Sequence, residues 1–87
     1  MYPVGQHVLI VDDDLGRRQS IERILREEGF AVTTASEGFA ALRAAGSQQF
    51  ALVIVAVELP GTLDGISTVR RLRARQPWLK ALFTGEF

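Results

Sequence analysis

The chain has 87 residues, of which 47% are hydrophobic and 23% charged, with ten basic and ten acidic side chains and no cysteine. This composition is typical of a single globular domain, and it excludes both a disulfide framework and a thiolate metal site. The formal net charge is zero, which gives no support for nucleic-acid or membrane partners. No apolar run is long enough to span a bilayer, and the first residues do not resemble a secretory signal. We therefore expect a cytoplasmic protein without nucleic-acid or membrane partners.

Strands and helices are predicted to alternate along the chain. The apolar run HVLIV, closed by three aspartates, indicates a strand buried on both faces. A helix follows, with Asp14 as its N-cap and Gly29 just beyond its last turn. FAVTTA predicts a second strand, and a second helix extends between a Ser36 cap and Gly46.

The second half of the chain continues this alternation. FALVIVAV predicts a third strand, LPGTLDG a loop, ISTVRRLRARQ a third helix that Pro77 ends, and LKALFTGEF a fourth strand. Ile66, Val69 and Leu72 should lie on one face of helix three. The order β-α-β-α-β-α-β predicts an α/β fold with a doubly wound parallel sheet, because right-handed crossovers place helices on both faces. We expect one domain over residues 1–87, with residues 1–6 as an N-terminal tail.

Polar residues follow three of the predicted strands, at residues 12–14, 56–58 and 84–85. Ligands of open parallel sheets bind beyond the carboxyl ends of the strands, so these groups converge if strands one, three and four are neighbours. Two carboxylates 4 Å apart repel each other by about 4 kcal/mol at an effective dielectric near 20, and Mg²⁺ would relieve that repulsion. Alternatively, the aspartates only cap the helix and are solvated.

Four segments, VLIVDDD, ILREEGFAVTTASEGFAAL, LPGTLDG and LFTGEF, together resemble the receiver domain of two-component response regulators. The resemblance covers about residues 7–86. It implies a flavodoxin-like receiver fold with strand order 2-1-3-4, which here lacks the last helix, strand and helix of the family. It also implies that Asp12 and Asp13 help to hold Mg²⁺ and that Thr84 contacts a phosphoryl group. An aspartate that ends strand three accepts this group from a histidine kinase in the family.

The expected phosphoacceptor is absent. In the family it lies four residues before the Pro of the Pro–Gly loop, and counting back from Pro60 leads to Ala56. A methyl group has no oxygen that attacks a phosphoryl donor or coordinates a metal, so we expect no catalytic residue and only weak Mg²⁺ binding by Asp12 and Asp13. Glu58 is a nearby acid that could substitute as acceptor, or else an exposed loop residue.

Three functions remain open from the sequence. The first is a degenerate receiver, not an enzyme, that takes part in phosphorelay signalling by binding a histidine kinase or another signalling protein. The second is an ordinary receiver that has been shortened and in which Asp was replaced by Ala56. The third is a small flavin- or nucleotide-binding protein, which is least favoured because neither G-x-G-x-x-G nor a P-loop occurs.

Association between copies is also expected. Strand four would have a bare apolar edge, which natural sheets rarely leave unprotected. The stripe of Ile21, Ile24 and Leu25 on helix one would be partly exposed if no further helix packs beside it. We therefore expect a homo-oligomer such as a dimer, or the addition of a partner strand, through the strand-four edge or the helix-one face.

Overall fold

The computed structural model describes residues 6–85, and the predicted N-terminal tail lies outside this range except for Gln6. The elements in chain order are β1 (His7–Val11), α1 (Leu15–Glu27), β2 (Ala31–Ala35), α2 (Gly38–Ala45), β3 (Leu52–Ala56), α3 (Gly65–Arg75) and β4 (Lys80–Thr84). All strand pairs are parallel, and the order across the sheet is β2-β1-β3-β4. The predicted fold class and strand order are therefore confirmed.

The sheet separates two hydrophobic layers of unequal size. Side chains that alternate along a strand point to opposite faces, so each strand supplies both layers. The larger layer packs α2 and α3 against one face of the sheet, and its centre is formed by Leu9, Val11, Phe50, Val53, Val55 and Leu72. The smaller layer packs α1 against the other face through Val8, Ile10 and Val32, with Ile21 and Leu25 partly buried on it.

One predicted detail of the helices is wrong. The N-cap of α2 is Glu37, not Ser36, because the Glu37 carboxylate accepts hydrogen bonds from the backbone N–H groups of the next turn. On α3, Ile66 is 41% exposed although Val69 is buried. The buried stripe of α3 runs through Gly65, Thr68, Val69 and Leu72, and Ile66 falls outside that helical period.

Apolar surface remains open on α1 and β4. Leu15 and Ile24 of α1 are 56% and 55% exposed, and α1 contains no fully buried residue. On β4, Leu82 is 56% exposed, and no strand within residues 6–85 pairs with the outer edge of β4. None of the helices in the described part of the chain has the length and apolarity that a membrane crossing requires.

His7, the first residue of β1, makes contacts that link β1 to its surroundings. Its Nε2 lies 3.0 Å from Thr33 Oγ1 on β2, and its ring meets Phe50 edge-on with the centroids 5.1 Å apart. Burial, and to a smaller extent the positive charge of Arg26, lowers the pKa of His7 below its ordinary value of 6.5. The fold therefore favours the neutral ring.

We expect His7 to make the free energy of unfolding depend on pH. Because the pKa is lower in the folded chain, stability is full above pH 6.5 and declines as the pH falls through the folded pKa of His7. Urea unfolding at a series of mildly acidic pH values should show this decline in the wild type. The decline should be absent in His7→Phe, which retains a ring against Phe50, and an equal decline in both proteins would contradict the assignment.

Candidate functional site at the carboxyl edge of the sheet

The register of the parallel strands brings three strand ends to one level. Val11 pairs with Val55, so Asp12 and Ala56 follow at neighbouring positions, and Ala56 pairs with Thr84 on β4. The backbone N–H of Val57 donates to the carbonyl of Thr84 at 2.9 Å, which holds the β3 and β4 ends together. We call this edge of the sheet the rim.

A cavity of about 500 Å³ opens at the rim. Its wall includes four residues that the sequence predicted to converge, Asp13, Ala56, Glu58 and Thr84, together with Arg17, which it did not. Asp13 and Glu58 are exposed and Thr84 is half-buried. These four residues therefore share one cavity, whereas Asp12 and Asp14 do not line it, and Glu58 lies in the bend after β3 and not on the strand.

Asp12 is buried at the rim, with an exposure of only 1%. Arg17 holds its carboxylate with a two-pronged contact, in which Nε donates to Oδ2 at 2.6 Å and Nη2 to Oδ1 at 3.0 Å. The backbone N–H of Asp14 donates to the same Oδ1 at 3.0 Å. Arg18 donates to the Asp12 backbone carbonyl at 2.7 Å, so both polar ends of the residue are satisfied.

These contacts decide the protonation state of Asp12. Burial alone would raise the pKa of its carboxyl group. The hydrogen bonds from Arg17 and from the Asp14 backbone, together with the charges of Arg17 and Arg18, outweigh burial and bring the pKa below the ordinary value of 3.8. Asp12 is thus an anion at neutral pH, and the same pairing raises the pKa of Arg17.

The helix start next to the rim explains why Arg17 reaches Asp12. Asp14 is the N-cap of α1, and its Oδ1 accepts the backbone N–H of Arg17 at 2.9 Å. Side chains in the first turn of a helix lean toward its N-terminus, which directs Arg17 back to the end of β1. The spacing from Asp12 across a cap to a basic residue was the signal that could have revealed this contact from the sequence.

The end of β3 carries no reactive group. Ala56 is 5% exposed, and its methyl group contributes only apolar surface to the cavity. Residues 6–85 contain no group of three or more His, Cys, Asp or Glu side chains placed to hold a metal ion. The chemistry available at the rim is that of two exposed carboxylates, a hydroxyl group and a paired guanidinium.

The protein has an open parallel α/β sheet with a polar cavity beyond the carboxyl ends of its strands. Domains of this class bind their ligands at this edge of the sheet. Sequence comparison makes the assignment specific. A family model described as response regulator receiver domain matches residues 8–86, and the chain belongs to this family.

Three relatives show how far the similarity extends. The transcriptional regulatory protein PrrA of Mycobacterium tuberculosis is 45% identical over 67 residues, which are 77% of this chain and 28% of PrrA. A CheY-like receiver domain protein from Methanospirillum hungatei is 27% identical with a TM-score of 0.85, over 90% of this chain and 62% of that one. TrrA from Thermotoga maritima, solved in complex with Mg²⁺ and BeF, is 32% identical with a TM-score of 0.79. The match covers 87% of this chain and 65% of the TrrA chain. The chain therefore spans only 28% of the length of PrrA.

We expect the close packing of the α3 start against the end of β3 to be disturbed by a single added methyl group at Gly65. A Cβ atom at Gly65 would lie 2.0 Å from the backbone oxygen of Ala56, whereas one at Gly16 would lie 3.5 Å from the Asp14 carboxylate, an ordinary contact. Gly65→Ala should therefore lower the free energy of unfolding by about 1–3 kcal/mol or more. Gly16→Ala, the matched control in another first helical turn, should be neutral or stabilise by up to about 1 kcal/mol. Equal effects in urea unfolding would show that β3 and α3 are not packed this closely.

Proposed function

We propose that this protein is a degenerate receiver, which works by binding other signalling proteins and does not accept a phosphoryl group at the end of β3. The observation that carries the proposal is Ala56, which lines the same cavity as Asp13 and Thr84 and has only a methyl side chain. Transfer to an enzyme side chain needs a nucleophilic atom, and a methyl group has none. The protein is then a signalling module and not an enzyme.

Weak Mg²⁺ binding is part of this proposal. TrrA was solved with Mg²⁺, and Mg²⁺ prefers an octahedron of oxygen ligands. In this chain the Ala56 side chain supplies no oxygen and Arg17 engages the Asp12 carboxylate, so residues 6–85 offer a divalent ion few free carboxylate ligands and its binding is weak. Asp13 and Glu58 remain as exposed carboxylates at the rim.

The partner that fits best is a protein, such as a histidine kinase, and not nucleic acid. Although PrrA is a transcriptional regulatory protein, it extends well beyond the segment that matches this chain. The arginines of α3 partly make local contacts, since Arg73 donates to the Leu79 carbonyl at 2.9 Å and Arg71 lies 5.8 Å from the Phe39 ring centre. A zero net charge gives no support for binding a polyanion.

We expect the chain to gain no phosphoryl group when it is incubated with acetyl phosphate and Mg²⁺, because position 56 lacks a nucleophile. Intact-mass measurement checks this result, and a receiver that retains the strand-three aspartate serves as the parallel positive control. A stoichiometric mass gain would overturn the proposal. The same assay on Glu58→Gln would then show whether Glu58 is the substitute acceptor. Sequencing the natural gene would separate an original Ala56 from an introduced one.

We also propose that copies of this chain associate through the open side of the sheet or through α1. In register, Leu82 lies beside the half-buried Ile54 on the face of the sheet that packs against α1, yet Leu82 remains 56% exposed, so apolar surface is in contact with water there. Ile24 presents a second exposed apolar site on α1. Apolar surface of this kind, beside an open strand edge, is typical of an interface.

Sedimentation of the 87-residue chain at micromolar concentration should therefore show a dimer or a larger species. Leu82→Lys should weaken association if the β4 side forms the interface, since a buried ammonium group without a partner is unfavourable. Ile24→Lys should weaken it if α1 forms the interface, so the two variants distinguish the surfaces. A wild type that remains monomeric would contradict self-association altogether.

A further inference from the structure

The carboxylate of Asp12 already has a cation from within the chain. Both of its oxygens accept from the Arg17 guanidinium, at 2.6 and 3.0 Å, and Oδ1 also accepts the Asp14 backbone N–H. The side chain of Asp12 is only 2% exposed, while that of Arg17 is 51% exposed and faces the cavity. A buried carboxylate without a partner is strongly unfavourable, so a positive group at this position is a structural requirement.

Arg17 is well placed to fill that requirement. Its backbone N–H is held by the Asp14 cap, so its Cα position is set by the start of α1. A guanidinium that meets a carboxylate with two parallel N–H groups forms one of the stronger hydrogen-bonded contacts in proteins. Most ion pairs on a protein surface contribute little to folding stability. This pair differs because the Asp12 carboxylate is buried and both of its oxygens accept from the guanidinium.

We propose that Arg17 is a built-in counter-ion that takes the position a divalent metal ion would need at Asp12, so that the buried carboxylate of Asp12 is charge-balanced without a metal. Two features of the rim are then consistent with each other. The Ala56 side chain supplies neither a negative charge nor an oxygen ligand, and Arg17 supplies a positive charge that stays attached to the chain. A metal ion could use Asp12 only by displacing the guanidinium.

The test compares the affinity for a divalent ion before and after Arg17 is replaced by methionine. Calorimetric titration with Mg²⁺ should show no binding tighter than millimolar in the wild type. Because Ala56→Asp supplies the missing oxygen ligand, the comparison is sharpest between Ala56→Asp and the double variant Ala56→Asp/Arg17→Met. The double variant should bind Mg²⁺ at least about tenfold more tightly than Ala56→Asp does. The reason is that the Arg17 guanidinium no longer competes with the ion for the Asp12 carboxylate. Mn²⁺ should then broaden the amide signals of Asp13 and residue 56.

The neighbouring arginine provides the matched control. Arg18→Met removes an equal charge, but Arg18 donates to the backbone carbonyl of Asp12 and not to its carboxylate. It should therefore change Mg²⁺ affinity much less than Arg17→Met does in the same Ala56→Asp background. Equal affinity in all three proteins, or equal effects of the two arginine substitutions, would overturn the proposal. So would submillimolar Mg²⁺ binding by the wild type.

A measurement on the wild type guards against a variant that does not fold. The Nε–H proton of Arg17 should exchange with water more slowly than that of the exposed Arg23, and Asp12→Asn should abolish the difference. Equally fast exchange of both protons would refute the counter-ion role. This inference deepens the weak Mg²⁺ binding of the proposed function, but it can fail separately from the absence of phosphoryl transfer, because metal affinity and proton exchange are measured without any phosphoryl donor.

Discussion

The parallel pairing of β3 with β1 on one side and β4 on the other is the constraint on which the site depends. This register places the residue after Val11 next to the end of β3 and sets Ala56 opposite Thr84. Parallel strands need long crossover connections, so the polar residues arrive at the rim from distant parts of the chain. Gly65 then allows α3 to start directly behind β3, because any side chain there would collide with the Ala56 backbone.

The electrostatics of the rim follow from where charge is buried and where it is exposed. Asp12 is the one acid among residues 6–85 that is buried, and its ionised form persists because Arg17 and the α1 start surround it with donors. Asp13 and Glu58 are in contact with water, which weakens their mutual repulsion. The rim is therefore stable as a folded surface even though β3 ends in an alanine.

Much of the fold could be predicted from the sequence, because buried parallel strands and amphipathic helices leave periodic patterns of their own. The family resemblance added the strand order, and the position of Ala56 followed from its distance to Pro60. The contact between Arg17 and Asp12 was missed because it spans a strand, a cap and a helical turn, and only the three-dimensional path of the chain brings the two groups together. The α2 cap was also wrong, because N-cap preference favours serine over glutamate, whereas in the structure the Glu37 carboxylate accepts the first N–H groups of the helix.

A receiver that cannot be modified on β3 has to change its state by another route. The populations of two conformations shift only when a ligand or an attached group stabilises one of them more than the other. A covalent phosphoryl group is one source of such a bias. Under the proposed function, with Ala56 at the end of β3 and Arg17 attached to Asp12, the rim itself supplies no such bias. Regulation would then come from a partner that binds elsewhere, and the exposed apolar side chains Ile24 of α1 and Leu82 of β4 are surface that such a partner could bury. Under the proposed function, this protein would transmit a signal by the presence or absence of a bound partner, and not by the chemical state of its strand ends.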